Sequence, residues 1–128
     1  MAENKLKILE IVEDEGMLLK AMASQFDRTE FHVFTAQDGQ QGLEVALREH
    51  PDLILLDLLM PKMDGFHMLK QLRTDAWGKT VPVIILTAVK GENDVAEAIE
   101  LGAFDYLVKS DYNISEVVKK VKQKLGMV

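Results

Sequence analysis

The stretch PDLILLDLLMPKMDG, Pro51 to Gly65, decides how the chain is read. Leu53, Ile54, Leu55 and Leu56 are apolar on both faces, as expected of a strand buried inside a parallel sheet. Asp57 closes that run. A carboxylate set against large aliphatic side chains costs several kcal/mol in desolvation unless something compensates. Asp64 then stands ahead of Phe66, Leu69 and Leu72 at helical spacing, so it reads as the cap of a helix. The stretch is therefore strand, acid, loop and helix, and the acid needs an explanation.

The same unit recurs on either side. Strands are expected at LKILEIV (from Leu6), FHVFTA (from Phe31), DLILLD (from Asp52), VPVIILTA (from Val81) and FDYLVK (from Phe104). Between them lie helical patterns. Leu18, Leu19, Met22 and Phe26 mark the first. The second is capped by Asp38, turns Leu43, Ala46 and Leu47 inward and ends at His50-Pro51. The fourth offers Val95, Ile99 and Leu101 as anchors before Gly102. The fifth starts at an Asn113 cap with Glu116 three residues on, and buries Ile114, Val117, Val118, Val121 and Leu125. Five βα units without repeat or linker predict an α/β, flavodoxin-like, doubly wound sheet of five parallel strands, order 2-1-3-4-5, with five helices. A length of 128 residues suits one domain over 1–128.

Composition narrows the function classes. A formal net charge of −6 argues against direct contact with nucleic acid. No apolar run is long enough to span a membrane, and MAENKLKILE lacks the pattern of a signal peptide. The absence of cysteine removes thiolate chemistry and fits a cytoplasmic protein.

In such sheets the chemistry gathers at the carboxyl ends of the strands. Glu13 and Asp14 follow the first strand, Asp57 ends the third, Thr87 and Ala88 end the fourth, and Lys109 ends the fifth. Three carboxylates at one rim repel one another unless a cation joins them. A hard divalent ion, Mg2+ or Mn2+, suits oxygen ligands. Asp14 and Asp57 are expected as direct ligands, the Leu59 backbone carbonyl as the third, and Glu13 through water. Lys109 and Thr87 suit anionic oxygens, and the set fits phosphoryl transfer onto Asp57.

Over essentially its whole length the sequence resembles the receiver domain of bacterial two-component response regulators, and is similar to the single-domain chemotaxis-type regulators. The resemblance rests on Glu13-Asp14, on Asp57 within LLDLLMPKMDG, on Thr87-Ala88, and on Lys109 with Tyr106 three residues before it. It implies that Asp57 accepts a phosphoryl group from a sensor histidine kinase or phosphotransfer protein. It further implies that Thr87 and Tyr106 act as a switch, and that the surface of helix 4, strand 5 and helix 5 changes for a downstream protein target. No turnover enzyme is implied beyond the domain's own phosphorylation and slow dephosphorylation. Three positions depart from or modulate the family pattern. Ser110 replaces the usual proline after the lysine, which favours a trans Lys109-Ser110 bond because a cis bond to a non-proline costs about 3–4 kcal/mol. Leu59 and Val89 are apolar where the family tunes phosphate lifetime.

Other residues read as ordinary structure. His32, His50 and His67 lie in separate elements without ligand spacing. Met60, Met63 and Met68 read as packing near the third helix, Trp77 as a shield over apolar surface, and the lysines of VVKKVKQKL as a solvated face. Three rival functions weaken on the same residues. A phosphatase of the haloacid-dehalogenase type wants a second Asp where Leu59 stands. A flavin module wants a phosphate loop where EDEGM would repel one. A pseudo-receiver, binding a partner without phosphorylation, would not need Asp14, Asp57 and Lys109 intact.

Overall fold

Alternating periods of two and 3.6 become alternating strands and helices in the structure, a computed structural model that describes residues 5–127. The order is β1 (Lys7–Val12), α1 (Gly16–Ser24), β2 (Phe31–Ala36), α2 (Gly39–Glu49), β3 (Leu53–Leu56) and α3 (Gly65–Thr74). It continues with β4 (Val83–Thr87), α4 (Glu92–Glu100), β5 (Asp105–Val108), a 3-10 turn (Lys109–Asp111) and α5 (Ile114–Lys124). All strand pairs are parallel and the sheet order is β2-β1-β3-β4-β5, as expected. Residues Met1 to Asn4 of the stretch read for a leader lie outside the described residues. Among the described residues no helix is long and apolar enough to cross a membrane.

Strand alternation splits the core in two. Leu9, Ile11, Leu53, Leu55, Ile84, Leu86 and Leu107 face α1 and α5, packing on Leu19, Met22, Val117 and Val121. Val12, Ile54, Leu56, Val83 and Ile85 face the other way, onto Ala46, Met68, Leu69, Leu72 and Ala98. Both faces of β3 and β4 are buried from end to end, which is why their sequences show no polar alternation.

The three expected caps form. Asp38 accepts from the Gln41 N–H, Asp64 from the His67 N–H, and Asn113 and Glu116 close a reciprocal capping box. Met68 is fully buried and Met60 and Met63 pack on the second core. Trp77 stacks flat on His50, with ring centroids 4.3 Å apart. The Lys109-Ser110 bond is trans, and the chain enters α5 through the 3-10 turn.

Helical phase corrects two anchors. Leu47 is 39 % exposed, because Val45 and Ala46 hold the inner face of α2. Ile99 is 60 % exposed, and Ala98 takes the buried position on α4. Strand starts shift too. Leu6, Asp52, Val81 and Phe104 fall outside β1, β3, β4 and β5, although Phe104 still donates its N–H to the Val83 carbonyl.

Two charged residues have structural roles that the sequence hid. Arg73, near the end of α3, spends its guanidinium on the carbonyls of Leu101, Gly102, Gly78 and Val81 at 2.8–3.0 Å. It thereby ties the C-terminal end of α4 to the α3–β4 connection, and its cation meets the negative end of that helix. Glu10 lies inside β1 with no exposed surface, and neither carboxyl oxygen has a hydrogen-bond partner among the described residues. Burial pushes its pKa up to about 9, with Arg48 pulling modestly the other way. Glu10 is therefore neutral in the fold at pH 7 and ionised in the unfolded chain.

A raised folded-state pKa means that stability is greatest at low pH and falls as pH rises from the ordinary carboxylate range toward about 9. Urea melts from pH 5 to pH 8 check this. The wild type is expected to lose about 1 kcal/mol more per pH unit than Glu10→Gln over that window. Parallel pH profiles for the two proteins would overturn it.

Candidate functional site

Register assembles the rim. Val12 pairs with Leu56, and Leu56 pairs with Ile85, so the residues that follow β1 and β3 emerge side by side. The Asp57 N–H donates to the Val12 carbonyl at 3.0 Å, which locks the start of the β3–α3 loop against β1. Thr87 pairs with Val108, which brings Lys109 to the same edge.

The three acids come together. One carboxylate oxygen each from Glu13, Asp14 and Asp57 lies within 4.8 Å of the others, with Glu13 and Asp57 buried and Asp14 exposed. Lys109 bridges the two buried acids, with Nζ 2.9 Å from Asp57 Oδ2 and 2.7 Å from Glu13 Oε1. The Asp57 contact is a hydrogen bond. The closer approach to Glu13 is a charge-assisted ion pair. The other oxygen of Glu13 accepts from the Glu15 N–H at 3.0 Å.

These surroundings move the titrations. Burial pushes the Glu13 carboxyl up, against the pull of Lys109 and the Glu15 N–H. For Lys109 burial works against the charge, but Glu13 and Asp57 outweigh it and the net shift is upward, so the amine stays an ammonium.

Around this core stand the remaining expected residues. Leu59 is 57 % exposed beside the pocket, and its N–H donates to Asp57 Oδ1 at 3.2 Å. Thr87 is fully buried, and its hydroxyl accepts a long 3.4 Å bond from the Val89 N–H. The Tyr106 hydroxyl donates to the carbonyl of the same Val89 at 2.9 Å. Burial, with Asp94 and Asp57 nearby, pushes the Tyr106 pKa up and keeps that hydroxyl a donor. Thr87 and Tyr106 thus grip one residue of the β4–α4 loop from its two ends. Sequence reading named both residues but not the peptide that joins them.

The donor set fits a hard divalent ion. It is all oxygen, and carboxylates from two strand ends present one atom each within 4.8 Å of one another.

Comparison with known proteins gives the family. Residues 9–122 match the response regulator receiver domain, and the chain belongs to that family. It is 40 % identical over 116 residues to the alkaline phosphatase synthesis transcriptional regulatory protein PhoP of Bacillus subtilis, covering 91 % of this chain and 47 % of that protein. The chain spans about half the length of this and similar curated relatives. The phosphorylated cyanobacterial phytochrome response regulator RcpA superimposes with a TM-score of 0.81 at 29 % identity, covering 93 % of each chain. CheY from the CheX–CheY–BeF3–Mg2+ complex of Borrelia burgdorferi gives 0.82 at 26 % identity, covering 93 % of this chain and 89 % of that one. The family is that of two-component signalling, which runs on phosphorylation.

Removing the cation of the rim should expose the cost of the acids. Lys109→Met leaves Glu13 and Asp57 buried together, and is expected to destabilise the fold by about 2 kcal/mol at pH 7. The loss should shrink toward pH 5, because the Glu13 carboxyl, raised in the fold by burial, regains stability as it takes up a proton. Urea melts at both pH values measure it. An equal loss at both would mean that like-charge repulsion is not its source.

Proposed function

We propose that this chain is a phosphorylation-dependent switch in which Asp57 receives a phosphoryl group. The observation that carries the reading is Lys109 reaching Asp57 at 2.9 Å inside a ring of three acids. Asp57 sits at the mouth of a fully buried strand, so its carboxylate is held by a rigid element while the β3–α3 loop stays open to a donor. Asp14, Asp57 and the Leu59 carbonyl would hold Mg2+ or Mn2+, with Glu13 acting through water. When bound, that ion would neutralise part of the charge on the phosphoryl oxygens.

The chain's own groups account for the rest. A carboxylate oxygen of Asp57 forms the O–P bond as the P–N bond of a phosphohistidine breaks. The bonding pair leaves on the imidazole nitrogen, which takes up a proton from solvent so that the histidine departs as neutral imidazole. Lys109 moves its ammonium from the carboxylate alone to the shared charge of carboxylate and phosphoryl oxygens. The Thr87 hydroxyl, now tied only by its long bond to Val89, turns to donate to a phosphoryl oxygen. Val89 then shifts, and Tyr106 loses its acceptor and takes a new rotamer. The sensor histidine kinase or phosphotransfer protein is the donor. The α4–β5–α5 surface is the face offered to a downstream protein target. The pseudo-receiver alternative leaves this arrangement of Lys109, Asp57, Asp14 and Glu13 without a purpose.

Acetyl phosphate with Mg2+ should add one phosphoryl group to the wild type and none to Asp57→Ala, as read by mass spectrometry of the intact protein. Labelling of both, or labelling indifferent to a chelator, would overturn the assignment. Loss of the label after donor removal should be slow, since Leu59 and Val89 offer no polar group to orient an attacking water. Leu59→Asn combined with Val89→Glu is expected to speed it several-fold. An unchanged rate would mean that these positions do not set the lifetime.

A further inference from the structure

The loop from Leu58 to Asp64 carries Leu59, and two glycines hold it from outside. At its base the Gly65 N–H donates to the Leu58 carbonyl at 3.0 Å, and a Cβ at Gly65 would lie 2.4 Å from the Asp57 carbonyl oxygen. At its far limb the first residue of α2 meets the loop. The Gly39 N–H donates to the Met63 carbonyl at 2.8 Å. A Cβ at Gly39 would stand 2.1 Å from that oxygen and 2.8 Å from its carbon, both backbone atoms that cannot swing aside.

From this we infer that Gly39 is a positioning residue of the metal site, setting the loop on which the Leu59 carbonyl is presented. The inference deepens the reading above and rests on it. Real Cβ contacts essentially never fall below 3.0 Å, so any side chain at Gly39 must drive Met63 back by nearly 1 Å or lift the start of α2. Lifting α2 is resisted. Gly42, one turn on, is pressed against Val12 and Met68, and Asp38 holds the helix start through the Gln41 N–H. Only Met60, Pro61 and Lys62 separate Met63 from Leu59, so the push has few bonds over which to spread. Pro61 fixes its own φ, and Lys62 is held at φ +64° in the left-handed region, with its amine 3.8 Å from Asp38. Groups that orient a metal's ligands without touching the metal typically control about 10–100-fold in affinity.

The test is Mg2+ binding alone, followed by backbone amide NMR on the full chain, with no donor present. Gly39→Ala is expected to weaken Mg2+ binding about tenfold. Gly42→Ala serves as control, since it also crowds α2, but against the side chains of Val12 and Met68 and not the loop. Melts of both variants give their stability losses, and the control should keep its Mg2+ affinity within about twofold. Equal affinity loss in both variants, or none in Gly39→Ala, overturns the inference. Should Gly39→Ala fail to fold, the wild-type titration decides. The amides of Gly39 and Met63 should then shift with Mg2+ on the same Kd as that of Leu59, and their standing still overturns it. Asp14→Asn keeps the two readings apart. If the wild type binds Mg2+ no better than Asp14→Asn, the metal site itself is at fault and not the role of Gly39.

Discussion

Asp57 can end an apolar strand because an ammonium meets it there. Lys109 lies 2.9 Å from Asp57 and 2.7 Å from Glu13, and each acid is almost wholly out of water. Two buried carboxylates with no cation would repel, and each would carry its own desolvation cost. One lysine cannot satisfy all four of their oxygens. The backbone supplies two more donors, Glu15 to Glu13 and Leu59 to Asp57, so that each of the four oxygens has one partner. Each oxygen keeps a second lone pair, so the paired rim still has acceptor capacity for a hard cation.

The rest of the architecture serves to keep these groups in place. Parallel register delivers Glu13, Asp57 and Lys109 to one edge, and aliphatic layers on both faces keep β3 and β4 from shifting. The helices are not held alike. α2 and α3 press on the sheet and on the β3–α3 loop, whereas α4 buries only Ala98 fully and has no side-chain cap at its start. Arg73 fastens its far end. A helix held at one end, beside a loop gripped by Thr87 and Tyr106, is where small changes at the rim are most cheaply accommodated.

Glu10 works against this economy. Its carboxyl is buried, neutral at pH 7 and without a hydrogen bond among the described residues, so the fold carries a standing cost inside β1. Nothing at the rim requires it, and the structure gives no reason for its presence.

The sequence by itself determined the sheet order, the three caps and every residue now found at the rim. Those features rest on local signals: apolar runs of strand length, Asp or Asn ahead of a helical stripe, and polar residues at strand ends. What it could not determine depended on phase and on partners distant in the chain. Ile99 and Leu47 look like anchors by composition, but the angle at which each helix meets the sheet turned Ala98 and Val45 inward instead. Glu10 reads as one polar residue in a strand, and only helix packing over β1 makes it buried. Arg73 reads as a surface charge, yet its four carbonyl partners lie on two other segments. The contact between Gly39 and Met63 joins the start of α2 to the β3–α3 loop, and the clearance there is measured in tenths of an ångström. Residue types and spacing record the periodicity of each element; they do not record the distance between backbones that meet only once the sheet has closed.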